Sequence, residues 1–254
     1  MKIAGIDVGS TTTKAIILDG GKVLSASILD SGTSPRNAAA QCIEKALAQA
    51  NLVYDDLDLI VSTGHARKSV DFANIQKPEI MATARGAKWY LPNTRLVIDI
   101  GGQGMRAVLL EPGGGVEKFV TNDKCSAGTG CFLDQLSFAL EVGREDLGEL
   151  SKRAKTVCNM STTCTIFAES EMVSLVARGT PKEDIIAGLH ESVGKKVENL
   201  VQGFGVTNGI FLCGGVARNA GVVAAIRKRY PDAYVPKHPQ LVTVTGAALM
   251  AGGA

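Results

Sequence analysis

Short apolar runs, each broken by glycine or small polar residues, set the rhythm at the start of the chain. Residues 3–8 run into Gly9-Ser10-Thr11-Thr12-Thr13-Lys14, residues 15–18 meet Asp19-Gly20-Gly21, and a third run covers 22–29. This punctuation predicts a meander of strands. Ser34-Pro35 then reads as an N-cap followed by proline at the first helical position. It opens a helical pattern through Ala38, Ile43, Ala46, Leu47 and Ala50. Residues 57–61 read as a buried strand. In the second half, 116–121 reads as a strand and 126–142 as a helix carrying Phe132, Leu133, Leu136, Ala139 and Leu140 at helical spacing. Residues 165–177 repeat that helical pattern. Thr180-Pro181-Lys182-Glu183 reads as a capping box opening a helix toward Val201. A strand over 208–213, a helix to Arg229 and a small-residue helix over 245–251 close an α/β pattern.

One stretch occurs twice. IDVGSTTTKAIILD at 6–19 returns as IDIGGQGMRAVLLE at 98–111, without a gap and 92 residues further on. The turn residues match as well as the apolar ones, with Lys14 against Arg106 and Asp19 against Glu111. That spacing is too long for a solenoid repeat. It predicts two copies of one strand–turn–strand device, hence two related domains over 1–94 and 95–242, with the C-terminal helix, 243–254, able to pack on the first.

Composition narrows the function. The 254 residues carry 27 Lys and Arg against 25 Asp and Glu, a net charge of +2 that argues against a dedicated nucleic-acid binder. No apolar run approaches the ~18 residues of a membrane span. An acid at Asp7 comes too early for a secretory signal, so a cytoplasmic location is expected. Six cysteines in a reducing compartment then point to metal, redox chemistry or burial rather than disulfides.

The duplicated turns carry legible chemistry. No GxxxxGK[ST] is present. Each repeat instead ends a strand on Asp-x-Gly followed by small residues. Such turns offer backbone N–H groups and hydroxyls to phosphate oxygens, and a strand-end aspartate can hold Mg²⁺ largely through waters. Gly214-Gly215-Val216-Ala217-Arg218-Asn219 forms a third glycine turn, between a strand and a helix. With these residues the chain resembles the superfold of actin, the sugar kinases and the 70-kDa heat-shock protein ATPases: IDVGSTTTK is similar to its first phosphate motif, VIDIGGQG to its second and IFLCGGVARN to its adenosine motif. The resemblance implies two ribonuclease-H-like domains with an interdomain cleft for ATP or ADP and Mg²⁺. It implies Asp7 and Asp99 near the metal and Gln103 orienting the attacking water. Gly9, Ser10, Thr11, Thr12 and Lys14 would line the phosphates, Gly101 and Gly102 would lie opposite, and Gly214, Gly215, Arg218 and Asn219 would flank the adenosine. The alternative on the same superfold is a small-molecule kinase, although no general-base aspartate stands out.

The cysteines sort by position. Cys42 in a helix and Cys213 in a strand read as packed small hydrophobes. Cys125 and Cys164 each directly precede an expected helix, whose N-terminus favours thiolates and an anionic iron–sulfur cluster. Cys131 and Cys158 have no assignment. A [4Fe–4S] cluster takes four cysteines. Spacing alone leaves two arrangements open: all four within one chain, or two from each chain of a symmetric dimer. His65, His190 and His238 are scattered and get no role, and Trp89 reads as a core or interface residue.

NDKCSAGTG with FLD, TCTIFAESE and DIIAGLHESV, together with the phosphate motifs, resemble the ATP-dependent activators of 2-hydroxyacyl-CoA dehydratases, a group that includes the benzoyl-CoA reductase ATPase subunits. The similarity covers nearly the whole chain. It implies one [4Fe–4S] cluster bridging a homodimer through Cys125 and Cys164 of each subunit, with Gly128, Thr129 and Gly130 counted among the nucleotide-binding residues. It further implies a ferredoxin or flavodoxin as electron donor and ATP-driven one-electron transfer into a partner iron–sulfur protein. Two departures mark a divergent branch: Gly104 follows Gln103 where relatives often carry aspartate, and the turn at Thr245-Gly246-Ala247-Ala248 is short. The expected partner is then a dehydratase-like protein or a double-cubane cluster protein.

Overall fold

The computed structural model describes residues 1–122, 128–160, 165–206 and 208–252. The chain forms two compact units. One holds Met1–Val97, Leu110–Glu117 and Pro236–Ala254; the other holds Ile98–Leu109 and Lys118–Val235.

The first unit is built on strands β1 (Lys2–Val8), β2 (Thr12–Asp19), β3 (Lys22–Asp30), β4 (Leu59–Thr63) and β5 (Ile75–Gln76), in the order β3-β2-β1-β4-β5. β1, β2 and β3 form the expected antiparallel meander, and β4 runs parallel to β1. Alternate residues of β1 and β2 serve opposite faces. Ala4, Ile6, Val8, Ala15 and Ile17 pack with Ala39, Cys42, Ile43, Ala46 and Leu47 of helix α1 (Pro35–Gln49). Ile16 and Leu18 face Val244 and Ala248 of the C-terminal helix. Both faces are covered, which is why these strands read as unbroken apolar runs. Ser34 caps α1 as expected, its side chain accepting from the Asn37 N–H.

Helix α2 (Glu79–Tyr90) escapes the hydrophobic pattern because its buried face is Ala82, Thr83, Ala84, Gly86 and Ala87. These small residues permit a close crossing with the C-terminal helix, where a side chain at Gly86 or Gly246 would collide with the facing backbone. Thr83 and Thr243 hydroxyls meet at 2.8 Å across that crossing. Trp89, expected in a core or interface, is exposed on α2 with its ring edge-on to Tyr90.

The second sheet, most of it in the second unit, carries β6 (Leu96–Ile100), β7 (Met105–Leu110), β8 (Val116–Asn122) and β9 (Ile210–Cys213), in the order β8-β7-β6-β9. The helices of that unit are α3 (Gly130–Ala139), α4 (Leu147–Lys152), α5 (Thr165–Ala177), α6 (Lys182–Val201) and α7 (Ala220–Arg227). The last helix of the chain is α8 (Val242–Leu249), three residues earlier than expected because Val242, Thr243 and Val244 are themselves buried.

Two expected helix starts are corrected. α3 begins at Gly130 rather than 126, since Gly128 takes φ +82° and Thr129 is extended. The capping box at Thr180 does not form. Pro181, extended at ψ 137°, is itself the N-cap and makes no side-chain cap bond, so Thr180 falls one residue outside the helix. Among the described residues no helix is long and apolar enough to cross a membrane.

Candidate functional site

The hairpin of β1 and β2 places Asp7 opposite Lys14. Lys14 Nζ lies 3.2 Å from Asp7 Oδ2 and also donates to the Thr12 carbonyl. The turn is closed by the Gly9 N–H donating to the Thr12 carbonyl at 3.2 Å. Ser31, which the sequence pattern does not mark, clamps it from just past the end of β3. Its hydroxyl donates to the Gly9 carbonyl at 2.7 Å and meets Thr13 Oγ1 at 3.0 Å, and its N–H donates to the Thr11 carbonyl. Ser10 is exposed at the tip, with Thr11 and Thr12 half-buried beside it. Asp7 is 4% exposed, and its Oδ1 is buried without a hydrogen-bond partner. An unsatisfied buried carboxylate oxygen is costly, and a hard cation is the partner that suits it. The first turn therefore fits a hard cation such as Mg²⁺ beside Asp7.

The second unit repeats the device. Gly101 N–H donates to the Gly104 carbonyl at 2.8 Å, the same bond one repeat later. Arg106 Nη1 lies 3.4 Å from Asp99 Oδ2, as Lys14 does from Asp7. Gln103 is exposed at the tip of this turn. The turn also meets α3: the Gly130 N–H donates to the Gly101 carbonyl at 3.0 Å, and the Cys131 N–H to the Gly102 carbonyl at 2.8 Å. Two of the helix N-terminal donors that need outside partners are thus satisfied by the second turn itself. Gly130 is accordingly brought against Gly101 and Gly102, whereas a Cβ at Gly128 would meet Lys196, Met105 and Val193. A Cβ at Gly130 would lie 3.3 Å from Gly102 Cα.

The third turn joins the same unit. Gly214, at φ +86°, sits where a side chain would collide with Asp99 Oδ1 and the Ile100 carbonyl. Asn219 caps α7, its Oδ1 accepting from the Gly221 and Val222 N–H groups at 2.9 and 3.1 Å. Gly215 is half-buried and Arg218 exposed. Cys213, expected only to pack, does more: its thiol hydrogen-bonds Asp99. Burial, together with that carboxylate's charge, pushes the thiol well above its usual range. The sequence gives no sign of this pairing, since β6 and β9 become neighbours only in the folded sheet.

Cys125 and Cys164 lie outside the described residues. Cys164 immediately precedes α5, while four residues separate Cys125 from the start of α3 at Gly130. Cys131 and Cys158 are half-buried and in no disulfide, and burial raises the Cys158 thiol. Cys42 is buried, as expected, within 3.0 Å of Ser27 Oγ. Among the described residues no group of three or more His, Cys, Asp or Glu side chains could hold a metal ion.

Residues 4–251 match the BadF/BadG/BcrA/BcrD ATPase family. The chain is 41% identical over 226 residues to the (R)-2-hydroxyglutaryl-CoA dehydratase activating ATPase of Acidaminococcus fermentans, covering 88% of this chain and 86% of that protein. The solved activator of the 2-hydroxyisocaproyl-CoA dehydratase from Clostridium difficile with bound ADPNP superposes with a TM-score of 0.93 at 38% identity, covering 99% of this chain and 94% of that one. The ROK hexokinase of Thermus thermophilus, at a TM-score of 0.52 and 18% identity over 98% of each chain, shares the fold alone.

Proposed function

As the chain belongs to the BadF/BadG/BcrA/BcrD ATPase family, we propose that it couples ATP hydrolysis to the reductive activation of a 2-hydroxyacyl-CoA dehydratase or a dehydratase-like iron–sulfur protein, a double-cubane cluster protein included. The observation that carries this reading is the matched pair of aspartate-ended hairpins. Each turn is closed by the same backbone bond, and each aspartate has one oxygen held by a basic residue seven positions on. Dehydratase activation comes from the relatives. The domain limits 1–94 and 95–242 and a cytoplasmic location belong to the same proposal.

In this reading Asp7 and Asp99 would lie near Mg²⁺, and Gly9, Ser10, Thr11, Thr12, Gly101 and Gly102 would receive the phosphates. Bound Mg²⁺ supplies charge neutralisation at the phosphate oxygens. Gln103 orients the attacking water, and Gly214, Gly215, Arg218 and Asn219 flank the adenosine. Cys125 and Cys164 of each of two chains hold one [4Fe–4S] cluster, and a ferredoxin or flavodoxin supplies the electron. The bonds from Gly130 and Cys131 to the second turn support a link between nucleotide state and α3, the helix that follows the Cys125 segment.

The experiment is ATP hydrolysis by Asp7→Asn and Asp99→Asn beside the wild type, with iron content measured on the same samples. Both variants should fall by at least about 100-fold, the scale of losing a group that stabilises the reacting phosphate, while iron stays at the wild-type level. Wild-type turnover in both variants contradicts the assignment, and phosphorylation of a sugar or acid by the wild type favours the kinase alternative.

A further inference from the structure

The two units share a loop that the repeated sequence does not mark. β4 lies beside β1 with Thr63 opposite Asp7, and β9 lies beside β6. Each strand leads into a glycine in the left-handed region, Gly64 at φ +93° and Gly214 at φ +86°. A Cβ at Gly64 would lie 2.5 Å from Asp7 Oδ1 and 2.6 Å from the Val8 carbonyl, and one at Gly214 would collide with Asp99 Oδ1 and the Ile100 carbonyl. A 3-10 turn follows each glycine within three residues, Arg67–Ser69 in the first unit and Val216–Arg218 in the second. In the second unit this loop is the one assigned to adenosine. Its counterpart, residues 63–67, has no role in the reading so far.

The charges around that counterpart are unequal. Lys14 is engaged by Asp7. Arg67 is half-buried, donates Nη1 to the Gly64 carbonyl at 3.2 Å, and has no carboxylate partner among the described residues. The loop is fastened beside the first turn: the Ala66 N–H donates to the Val8 carbonyl at 3.1 Å, and Ser62 Oγ donates to the Arg67 carbonyl at 3.1 Å. Gly64 therefore touches the unpartnered oxygen of Asp7 on one side and the Arg67 guanidinium on the other. A half-buried guanidinium without a carboxylate is a built-in seat for another anion, and its fork matches phosphate oxygens. Mg²⁺ held near Asp7 would neutralise charge on the outer phosphates of a bound triphosphate. We propose that Arg67 contacts the terminal phosphate of the nucleotide held at the first turn, making residues 63–67 a second phosphate-facing element of that unit. This rests on the nucleotide reading of Asp7 and Gly9–Thr12.

The test compares ADPNP and ADP binding by calorimetry, and single-turnover ATP hydrolysis, in wild type, Arg67→Gln, Arg67→Lys and the exposed neighbour Lys68→Ala. Arg67→Gln should weaken ADPNP about 10- to 100-fold, the worth of one charge-assisted hydrogen bond, and slow hydrolysis by at least as much. ADP, which lacks the terminal phosphate, should stay within about twofold, since no contact to it is lost. Arg67→Lys should recover part of the loss, and Lys68→Ala should match wild type. Equal weakening of both nucleotides in Arg67→Gln, or no change in either, overturns the proposal. Wild-type protein that binds neither nucleotide overturns the reading of the first turn itself, and this inference with it.

Discussion

His190 is the side chain whose setting its sequence position least suggests. It lies on α6 with 3% of its surface exposed, and neither ring nitrogen has a hydrogen-bond partner. The ring packs on α7 at Gly221, where a Cβ would overlap it. Burial holds its pKa down at about 4, so the folded protein keeps it neutral. The unfolded chain binds a proton near pH 6.5, so stability is full above that value and is lost as pH falls toward 4. Between pH 7 and pH 5 the wild type should lose about 2 kcal/mol through this residue alone. His190→Phe keeps a flat ring and removes the proton. Urea unfolding at both pH values should show the wild type losing that much more than the variant, and equal losses would mean the ring is hydrated when folded. Cys213 carries the same lesson from the other side. Apolar patterning correctly buries it, but its bond to Asp99 depends on which strand lies next to which, and no local pattern encodes that.

Among the elements, strands and turns were more legible than helices. The meander over β1, β2 and β3 and the two closed turns follow from apolar runs ended by glycine and small polar residues, a local code. α2 was invisible because its buried face consists of alanine, threonine and glycine, which carry no hydrophobic period. α3 and α6 start later than the pattern predicts for a backbone reason: Gly128 and Pro181 take conformations that no helix accepts. Loop 63–67 lies outside the repeated sequence, since its likeness to 213–218 is one of backbone shape and not of side chains. Gly64 and Gly214 make that shape testable. An alanine at either pays left-handed strain of about 1–2 kcal/mol and displaces the aspartate it touches. Gly64→Ala and Gly214→Ala should each lower unfolding free energy by about 2 kcal/mol or more and weaken ADPNP. Gly113→Ala, whose new methyl meets nothing within 4 Å, should be neutral in both. Thermal melts with and without ADPNP measure this, and an unperturbed Gly214→Ala would mean the loop yields easily.

For the molecule as a whole, the fold class and the duplicated turns follow from one chain's pattern, because both are written in local periodicity and a 92-residue self-match. The cluster ligands are not legible in that way: spacing alone leaves four cysteines of one chain or two from each of two chains, and it is the family resemblance that proposes Cys125 and Cys164. What the chain cannot encode locally is its assembly. The account joins an ATPase of this family to a cluster shared by two chains, and iron counting with light scattering on the anaerobically purified protein tests that joint most directly. It predicts about two iron atoms per chain in a particle of twice the 26.5 kDa chain mass, with iron lost in Cys125→Ala and Cys164→Ala but kept in Cys131→Ala and Cys158→Ala. An iron-free dimer, or about four iron atoms held by a monomer, would contradict it.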